Sequence, residues 1–374
     1  MAQGIIYLAK AGTGKTTFIT SGLKNKLENK NVLYITYTNM NAENLKNKLQ
    51  KSLINFNGYN VLTFYEFMYR ELIKPYSLSI EKNLQLPYKI KGVYFREPGV
   101  KNFKHFISKA SYKFWENSVG DLYGDKLAAL LTDIRNKEVF ESAIDRLSNF
   151  YDYIIFDEFQ DVVNPELHIL NKLSKSIYKR EHTQLILVGD LYQSCVTKTS
   201  KKSSPYDKFK TSMSEEAFTR KNLGLKKTYL KLDQTSLNRS FRVPKKICDY
   251  IRTNLKINIY GSVDNEGEIN VVNSLNLLKD ILMSEKYKLL TYDKRKRNKI
   301  IQKYGVDESR FVNYGESKGL EYDNIAIFLT EALTDATNRN NFSEISSISK
   351  NKFYVALTRT KNNVYLIPSD LPLS

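Results

Sequence analysis

A glycine-rich loop near the start of the chain limits the possible folds more than any other feature. Residues 9–16 read Ala-Lys-Ala-Gly-Thr-Gly-Lys-Thr, and they follow a short apolar run at residues 4–8. An apolar run, a glycine loop and a Lys-Thr-Thr segment predict a strand, a turn and a helix in that order. Gly12 and Gly14 allow backbone N–H groups to surround phosphate oxygens at the start of that helix. The sequence therefore predicts a phosphate-binding α/β unit.

The side chains around this loop suit ATP with Mg²⁺ as cofactors. Lys15 can reach the β and γ phosphates, and the Thr16 hydroxyl can ligate Mg²⁺. An acidic pair, Asp157 and Glu158, follows a second apolar run at residues 153–156. Asp157 is predicted to hold Mg²⁺ through its water shell, and Glu158 to orient and deprotonate the attacking water. Acidic pairs also occur on ordinary surfaces, so this prediction depends on the pair and the loop together.

Short apolar runs recur along the whole chain and alternate with helical patterns, which is typical of buried parallel strands in α/β proteins. Residues 41–49 place Ala42, Leu45 and Leu49 on one helix face. We therefore predict two α/β lobes with a boundary near residue 235. Two stretches with ten basic and three acidic residues each are predicted insertions, residues 70–113 and 197–231. The further apolar runs are residues 32–36, 185–188, 288–291, 325–328 and 364–367.

Charge favours a polyanionic partner. The chain has 58 Lys and Arg against 40 Asp and Glu, a formal net charge of +18. Such an excess promotes binding to nucleic acid or to an anionic membrane surface, although a lysine-rich genome gives the same composition. Two cysteines and three scattered histidines exclude a disulfide framework and a zinc site built from these residues. No apolar run reaches the roughly 18 residues of a membrane span, so we expect a cytoplasmic protein without a membrane partner.

Several short motifs resemble those of UvrD/Rep-like superfamily 1 DNA helicases, and they occur in the same order. About 70 residues separate Arg242 from Asn313, where larger members insert a whole subdomain, so the resemblance implies a minimal core. The resemblance spans residues 9–361. Its segments after the phosphate loop are Thr36-Tyr-Thr-Asn39, Thr63-Phe-Tyr65, Asp157-Glu-Phe-Gln-Asp161, Gly189-Asp-Leu-Tyr-Gln-Ser194, Leu237-Asn-Arg-Ser-Phe-Arg242, Ser317-Lys-Gly-Leu-Glu-Tyr322 and Tyr354-Val-Ala-Leu-Thr-Arg359.

The resemblance implies two RecA-like lobes of the P-loop NTPase type, each with a parallel sheet, that hold ATP between them. Residues 1–66 and 149–235 would form the first, ATP-binding lobe, and residues 236–374 the second. Residues 67–148 would form a small, basic and mostly helical insertion in the first lobe. Because the nucleotide lies between the lobes, hydrolysis would depend on their closure.

The resemblance also assigns roles to individual residues. Arg242 and Arg359 of the second lobe would reach the γ-phosphate and stabilise the charge that develops there, while Gln193 would contact the same phosphate. Phe241 would stack on adenine, and Glu321 would bind the ribose. The catalytic set is Lys15, Glu158, Gln193, Arg242 and Arg359. The remaining nucleotide and metal contacts are Gly12, Thr13, Gly14, Thr16, Thr17 and Asp157.

The resemblance also implies contacts with single-stranded nucleic acid from residues of two of its motifs, namely Thr36, Tyr37, Asn39, Thr63 and Phe64. Aromatic side chains hold bases without reading sequence, although Tyr37 and Phe64 would serve equally as core residues. The leading hypothesis is a bacterial or phage-encoded, ATP-dependent translocase or helicase that moves 3′→5′ on single-stranded DNA. One alternative is a DNA-sensing ATPase subunit that acts as a switch in a larger complex, in phage defence or replication. RNA as the strand and an accessory protein partner also stay open.

Overall fold

The computed structural model of the chain describes residues 3–95, 107–194, 205–209, 213–261 and 264–371. Parts of the two predicted insertions, residues 96–106, 197–204 and 210–212, therefore lie outside the described residues. The larger strands form two parallel sheets, which confirms the α/β fold predicted from the apolar runs. Within the described ranges, no helix has the length and apolar character needed to cross a membrane.

The first sheet has six parallel strands in the order β3-β2-β6-β7-β1-β8. All six precede residue 235, and their apolar residues alternate between the two faces, as expected for a sheet that is covered on both sides. Leu33 and Ile35 belong to one core, whereas Val32 and Tyr34 belong to the other. The strands are β1 (Gly4–Leu8), β2 (Asn31–Thr36), β3 (Gly58–Thr63), β6 (Tyr153–Asp157), β7 (Gln184–Gly189) and β8 (Leu230–Asp233).

The second sheet has five parallel strands in the order β11-β15-β14-β12-β13, and all of them follow residue 235. They are β11 (Glu268–Val271), β12 (Tyr287–Thr291), β13 (Phe311–Asn313), β14 (Tyr322–Phe328) and β15 (Thr360–Ile367). Two short parallel pairs complete the described strands: β4 (Gly92–Tyr94) with β5 (Asp121–Tyr123), and β9 (Arg239–Ser240) with β10 (Tyr260–Gly261).

Helices cover both sheets. The predicted helix at residues 41–49 lies within α3, where Ala42, Leu45 and Leu49 are buried, and the Thr38 hydroxyl caps its start by accepting a hydrogen bond from the Asn41 N–H. The helices are α1 (Lys15–Thr17), α2 (Lys24–Leu27), α3 (Asn39–Gln50), α4 (Phe64–Glu66), α5 (Ser77–Leu84), α6 (Leu127–Thr132), α7 (Lys137–Phe150), α8 (Glu166–Tyr178), α9 (Glu215–Ala217), α10 (Lys245–Leu255), α11 (Leu275–Met283), α12 (Lys294–Tyr304), α13 (Glu331–Asn338) and α14 (Ser347–Leu357). Three π-helical segments extend α1, α4 and α9, at Phe18–Gly22, Phe67–Ile73 and Phe218–Asn222.

The strand order places the candidate site residues at one edge of the first sheet. The carboxyl ends of parallel strands meet at the same edge, and ligands of open α/β sheets bind there. The phosphate loop follows β1, the acidic pair ends β6, and the Gly189–Gln193 region follows β7, with β7 between the other two strands. The residues expected to contact nucleic acid lie at or after the ends of β2 and β3, farther along the same edge and beyond β6.

Candidate active site between the two sheets

The phosphate loop adopts a conformation that requires glycine at two positions. Gly12 and Gly14 have φ angles of +71° and +74°, a region that residues with a Cβ rarely adopt. A Cβ on Gly12 would also lie 2.5 Å from the Ser240 Oγ, and the Phe241 N–H donates to the Gly12 carbonyl at 2.8 Å. The loop of the first half is therefore packed directly against a segment that leads into the second half.

Lys15 and Glu158 face each other across the loop. The Lys15 Nζ lies 3.3 Å from the Glu158 Oε1, and both side chains are mostly buried. The Gln160 amide donates to the other Glu158 oxygen, and its own oxygen accepts from the Asp190 N–H at 3.0 Å. Burial favours the protonated acid, but attraction by Lys15 and by Lys318 outweighs it and lowers the pKa of Glu158. Glu158 is therefore ionised and oriented toward the loop.

Asp157 offers a buried oxygen that no described side chain satisfies. The residue is 6% exposed, and its Oδ1 has no hydrogen-bond partner among the described residues. Burial, followed by the nearby negative charge of Glu158, raises the pKa of Asp157. A cation or its water shell would satisfy such an oxygen, so the residue fits Mg²⁺.

The described residues contain no group of three or more His, Cys, Asp or Glu side chains that could hold a metal by themselves. Mg²⁺ is commonly bound through one or two carboxylates together with substrate phosphates and water, so a single carboxylate suffices. Thr16, the second predicted metal residue, is half-buried at the start of the loop helix, and Thr17 beside it is exposed. Thr13 is buried, and its hydroxyl donates to the Lys10 carbonyl at 2.8 Å, which braces the loop.

The two predicted arginines differ in what they contact. The Arg242 Nη1 donates to the Glu321 Oε1 at 2.8 Å, and a Cβ on Gly12 would lie 2.9 Å from the Arg242 Cβ, so Arg242 borders the loop. Arg359 is 1% exposed, and its guanidinium donates to the carbonyls of Val355 and Leu320. Burial and the positive charge of Arg242 lower the pKa of Arg359 to about 9. The structure thus brings Arg242 to the loop and keeps Arg359 within the second half.

Phe241 and Glu321 are both next to Arg242: Phe241 precedes it in the chain, and Glu321 is its hydrogen-bond partner. Phe241 is 69% exposed, and its ring lies 3.9 Å from the position of a Cβ on Gly14. A large exposed ring beside the loop has a free face for stacking on a flat ligand. Burial favours protonated Glu321, but the hydrogen bond from Arg242 outweighs it and lowers the pKa of this carboxyl group.

A buried chain of hydrogen bonds joins the loop to the second half, and no sequence pattern predicts it. The Tyr354 hydroxyl of α14 accepts from the Ala11 N–H at 2.9 Å and donates to the Asp190 Oδ2 at 3.0 Å. The Gln193 amide donates to the same Asp190 oxygen at 3.0 Å, so Gln193 points to Asp190 in this arrangement. Burial raises the pKa of Asp190, and the charge of Lys15 opposes this effect most strongly.

Removing the Tyr354 hydroxyl should destabilise the protein by about 2 kcal/mol, because the buried Ala11 N–H loses its acceptor and Asp190 loses a donor. Urea unfolding of Tyr354→Phe measures the effect. The matched control is Tyr314→Phe, which removes a buried hydroxyl that donates to the Phe328 carbonyl at 2.8 Å within the second half. A loss for Tyr354→Phe no larger than that of the control would contradict the bridging role.

Two further groups of charged residues connect the halves. The Lys318 Nζ of the second half lies 2.7 and 2.8 Å from the two carboxylate oxygens of Asp161. In the second group, the buried Lys10 of the phosphate loop lies 2.6 Å from the Glu215 Oε1 of α9, also in the first half, and the second half contributes Lys350. Lys350 of α14 is also buried beside this pair, and burial lowers its pKa to about 8. These contacts join residues far apart in sequence, and no local pattern indicates them.

Three of the five residues predicted to contact nucleic acid line a separate cleft of about 720 Å³ beside the carboxyl ends of β2 and β3. Tyr37, Asn39 and Thr63 line it as a group. The lining also contains further aromatic and basic side chains, of which Arg70, Lys74 and Phe95 come from the predicted basic insertion at residues 70–113. The full lining is Tyr37, Thr38, Asn39, Thr63, Tyr65, Glu66, Tyr69, Arg70, Lys74, Val93 and Phe95.

Phe64 and Thr36 do not line this cleft, which corrects their expected role as strand contacts. Phe64 is 1% exposed, and its ring packs against the rings of Phe67 and Phe156 at centroid distances of 6.3 and 5.7 Å. Thr36 is also buried. Phe64 begins the helix that follows β3, and its ring packs into the core there. It is therefore a core residue, and its ring is not available for stacking on a base. Thr63 caps that helix, with its hydroxyl accepting from the Glu66 N–H at 3.3 Å.

The fold and the loop define a P-loop NTPase, and the comparisons with known proteins narrow the class. Residues 1–198 match the family model of the AAA domain, and residues 131–367 match that of the viral superfamily 1 RNA helicase core domain. Each match covers more than half of the chain. The protein belongs to the superfamily 1 helicases, a class of nucleic-acid-dependent ATPases. No curated protein sequence matches the chain.

Several solved helicase structures are similar to this chain. The PRRSV helicase has a TM-score of 0.44 at 14% identity, and the match covers 99% of this chain and 55% of that one. Arterivirus nonstructural protein 10, a helicase, has a TM-score of 0.45 at 13% identity, with 99% and 61% covered. A structure of Pif1 helicases on forked double-stranded DNA has a TM-score of 0.41 at 12% identity, with 97% and 87% covered. The chain thus spans 55% to 61% of these two viral helicase chains.

Proposed function

We propose that the protein hydrolyses ATP with Mg²⁺ to move along single-stranded DNA, as a UvrD/Rep-like translocase or helicase with 3′→5′ direction. One observation carries the proposal: the phosphate loop contacts the second half through its backbone. The Phe241 N–H donates to the Gly12 carbonyl, and the Ala11 N–H donates to the Tyr354 hydroxyl. A nucleotide on this loop lies between two halves of the chain, so its turnover is linked to their relative position.

The two halves correspond to the lobes expected for this family. We assign residues 1–66 and 149–235 to the first lobe, residues 236–374 to the second, and residues 67–148 to an insertion in the first. All strands of one large sheet precede residue 235 and all strands of the other follow it, which supports this division.

In the first lobe, Gly12 to Thr17 and Lys15 in particular would hold the phosphates, while Asp157 and Thr16 would hold Mg²⁺. The metal, when bound, supplies positive charge that neutralises the phosphate oxygens. Glu158 is the proposed base that orients and deprotonates water, and its ionised state supports that role. Lys15 pairs with the Glu158 carboxylate beside the loop. A bound phosphate would replace that carboxylate as the partner of the lysine.

In the second lobe, Phe241 would stack on the adenine and Glu321 would bind the ribose. Arg242 borders the loop, so a change of partner from Glu321 to phosphate brings its charge to the reaction. Arg359 and Gln193 would join only after rearrangement, because each now bonds within the protein. A catalytic set completed by movement couples hydrolysis to that movement.

The single strand would lie in the cleft that Tyr37 and Asn39 line. Aromatic rings in this cleft provide faces for stacking on bases, and Arg70 and Lys74 provide charge for the phosphates. The combination holds a strand without reading its sequence, as a motor requires. RNA offers the same features, so competition between DNA and RNA strands of one sequence measures the preference.

The ATPase rate against single-stranded DNA length tests the function. A translocase should show stimulation that rises with strand length, because longer strands allow more steps before dissociation. A DNA-sensing switch in a larger complex should instead reach full stimulation on short oligonucleotides. An absence of stimulation at any length would reject both.

Two tyrosine variants test whether single-stranded DNA binds in the cleft. Tyr37→Ala should lower the affinity for single-stranded DNA by about tenfold, since one stacked base is worth roughly 1–3 kcal/mol. Tyr59→Ala removes an exposed tyrosine ring from β3, outside the cleft, and should leave the affinity unchanged. Fluorescence anisotropy measures both, and equal affinities for the two variants would contradict this placement.

A further inference from the structure

The helix α12 presents an unusually basic face to solvent. Its sequence from Lys294 to Tyr304 contains six lysines and arginines and no acidic residue. Two of the six are used inside the protein: the Lys296 Nζ donates to the Leu329 carbonyl at 2.5 Å, and Arg297 pairs with Glu308 at 3.1 Å. The exposed positions are Lys294, Arg295, Asn298, Lys299, Gln302 and Lys303, which we call the α12 basic face.

The arrangement of these residues suits the phosphates of a nucleic acid. Four cations and two amides share one side of the helix, and from Lys294 to Lys303 they extend over about 13 Å at 1.5 Å per residue. Lysine, arginine and amide side chains are the usual donors to phosphate oxygens. The helix is capped by the Asp293 carboxylate, which accepts from the Lys296 N–H at 2.9 Å, and four cations then follow at the positive end of the helix dipole, where positive charge does not favour the helix. The needs of the helix itself do not account for this charge pattern.

The α12 basic face differs in kind from the cleft on the first half. The cleft has several aromatic rings, whereas all exposed positions of α12 are aliphatic cations, guanidinium groups or amides. A single strand is held largely by stacking of its bases, but a duplex presents only its backbone to a surface that does not enter a groove. The composition of this face therefore favours a duplex.

The position of α12 in the fold also suits contact with a duplex. The helix begins at the carboxyl end of β12, next to the carboxyl end of β13, where the Thr291 hydroxyl lies 3.4 Å from the Asn313 side-chain oxygen. The loop that leaves β13 carries Lys318 to Asp161 at the carboxyl edge of the first sheet. The first turn of α12 thus lies at the sheet edge from which the second half contacts the first.

We infer that the α12 basic face binds the phosphate backbone of duplex nucleic acid joined to the strand in the cleft. This inference rests on the proposed function, because it presupposes a strand in the cleft. The duplex contact would let this compact core hold a junction between single and double strands without the subdomain that larger relatives insert before this region.

The test uses the triple variant Arg295→Gln/Lys299→Gln/Lys303→Gln, which keeps good helix formers at exposed positions. Anisotropy measures the affinity for a single-stranded tail and for the same tail joined to a duplex, over a range of salt concentrations. The variant should bind the tailed duplex about tenfold more weakly, with a salt slope lower by up to about 2.7, because three phosphate contacts are lost. Its affinity for the tail alone should stay within twofold.

The control variant Lys24→Gln/Lys26→Gln/Lys48→Gln removes the same charge from exposed positions on α2 and α3. An equal loss in the control, or an equal loss for the tail and the tailed duplex, would overturn the inference. Tail binding by the unmodified protein reports on the proposed function separately. If that binding is present but no additional duplex affinity exists, the α12 inference fails and the proposed function stands.

Discussion

The variant Lys15→Ala should lose ATP hydrolysis by about 10²- to 10³-fold or more, the usual cost of removing one preorganised positive or donor group from a reacting centre. Lys15 is the lysine that follows the glycine loop, and its Nζ lies 3.3 Å from the Glu158 carboxylate. Its charge serves both the phosphates and the proposed base. Phosphate release in the presence of single-stranded DNA measures the loss.

Lys24→Ala provides the control for this variant, because Lys24 lies exposed in the next helical segment and its loss removes the same charge. The control should keep full activity. Hydrolysis by Lys15→Ala within tenfold of the unmodified protein would remove this loop from the reaction and, with it, the proposed nucleotide site.

The variant Glu158→Gln should bind ATP with nearly unchanged affinity yet turn it over about 10²- to 10⁴-fold more slowly, which is the typical contribution of a positioned general base. Glutamine keeps the size of the side chain and its contact with Lys15 but cannot accept the proton of the attacking water. Single-turnover hydrolysis and binding of a fluorescent ATP analogue separate the two effects.

Glu43→Gln, at an exposed position on α3, is the matched control for this change and should leave both quantities unaffected. Normal turnover by Glu158→Gln would reject the assignment of the base. A parallel loss of binding and turnover would indicate that Glu158 mainly supports the shape of the loop.

The sequence predicted the loop and seven of the eleven strands described in the two large sheets. The four strands that it missed, β3, β8, β11 and β13, are the edge strands, and each contains polar residues. Each continuous apolar run became a buried parallel strand, because a strand covered on both faces needs apolar residues at every position. The strand–loop–helix order around Gly12 and Gly14 likewise followed from local chemistry, and both glycines have the positive φ that such a loop needs.

Contacts between distant segments could not be predicted. Tyr354 and Asp190 are separated by 164 positions, and Lys318 and Asp161 by 157, so no local pattern connects them. The burial of Phe64 could not be predicted either. It follows a strand, as an exposed contact residue would, but packing against Phe67 and Phe156 decides its burial. The roles of the individual site residues remain predictions for the experiments above.

The backbone at Glu158 has a consequence for how this fold can change. Its φ of 56° lies in the left-handed region, which a glycine or an asparagine adopts more easily than a glutamate, at a cost of about 1 kcal/mol for the glutamate. Substitutions that relax this turn would therefore make the folded state more durable while removing the carboxylate. At this one position, selection for robustness and selection for turnover act in opposite directions.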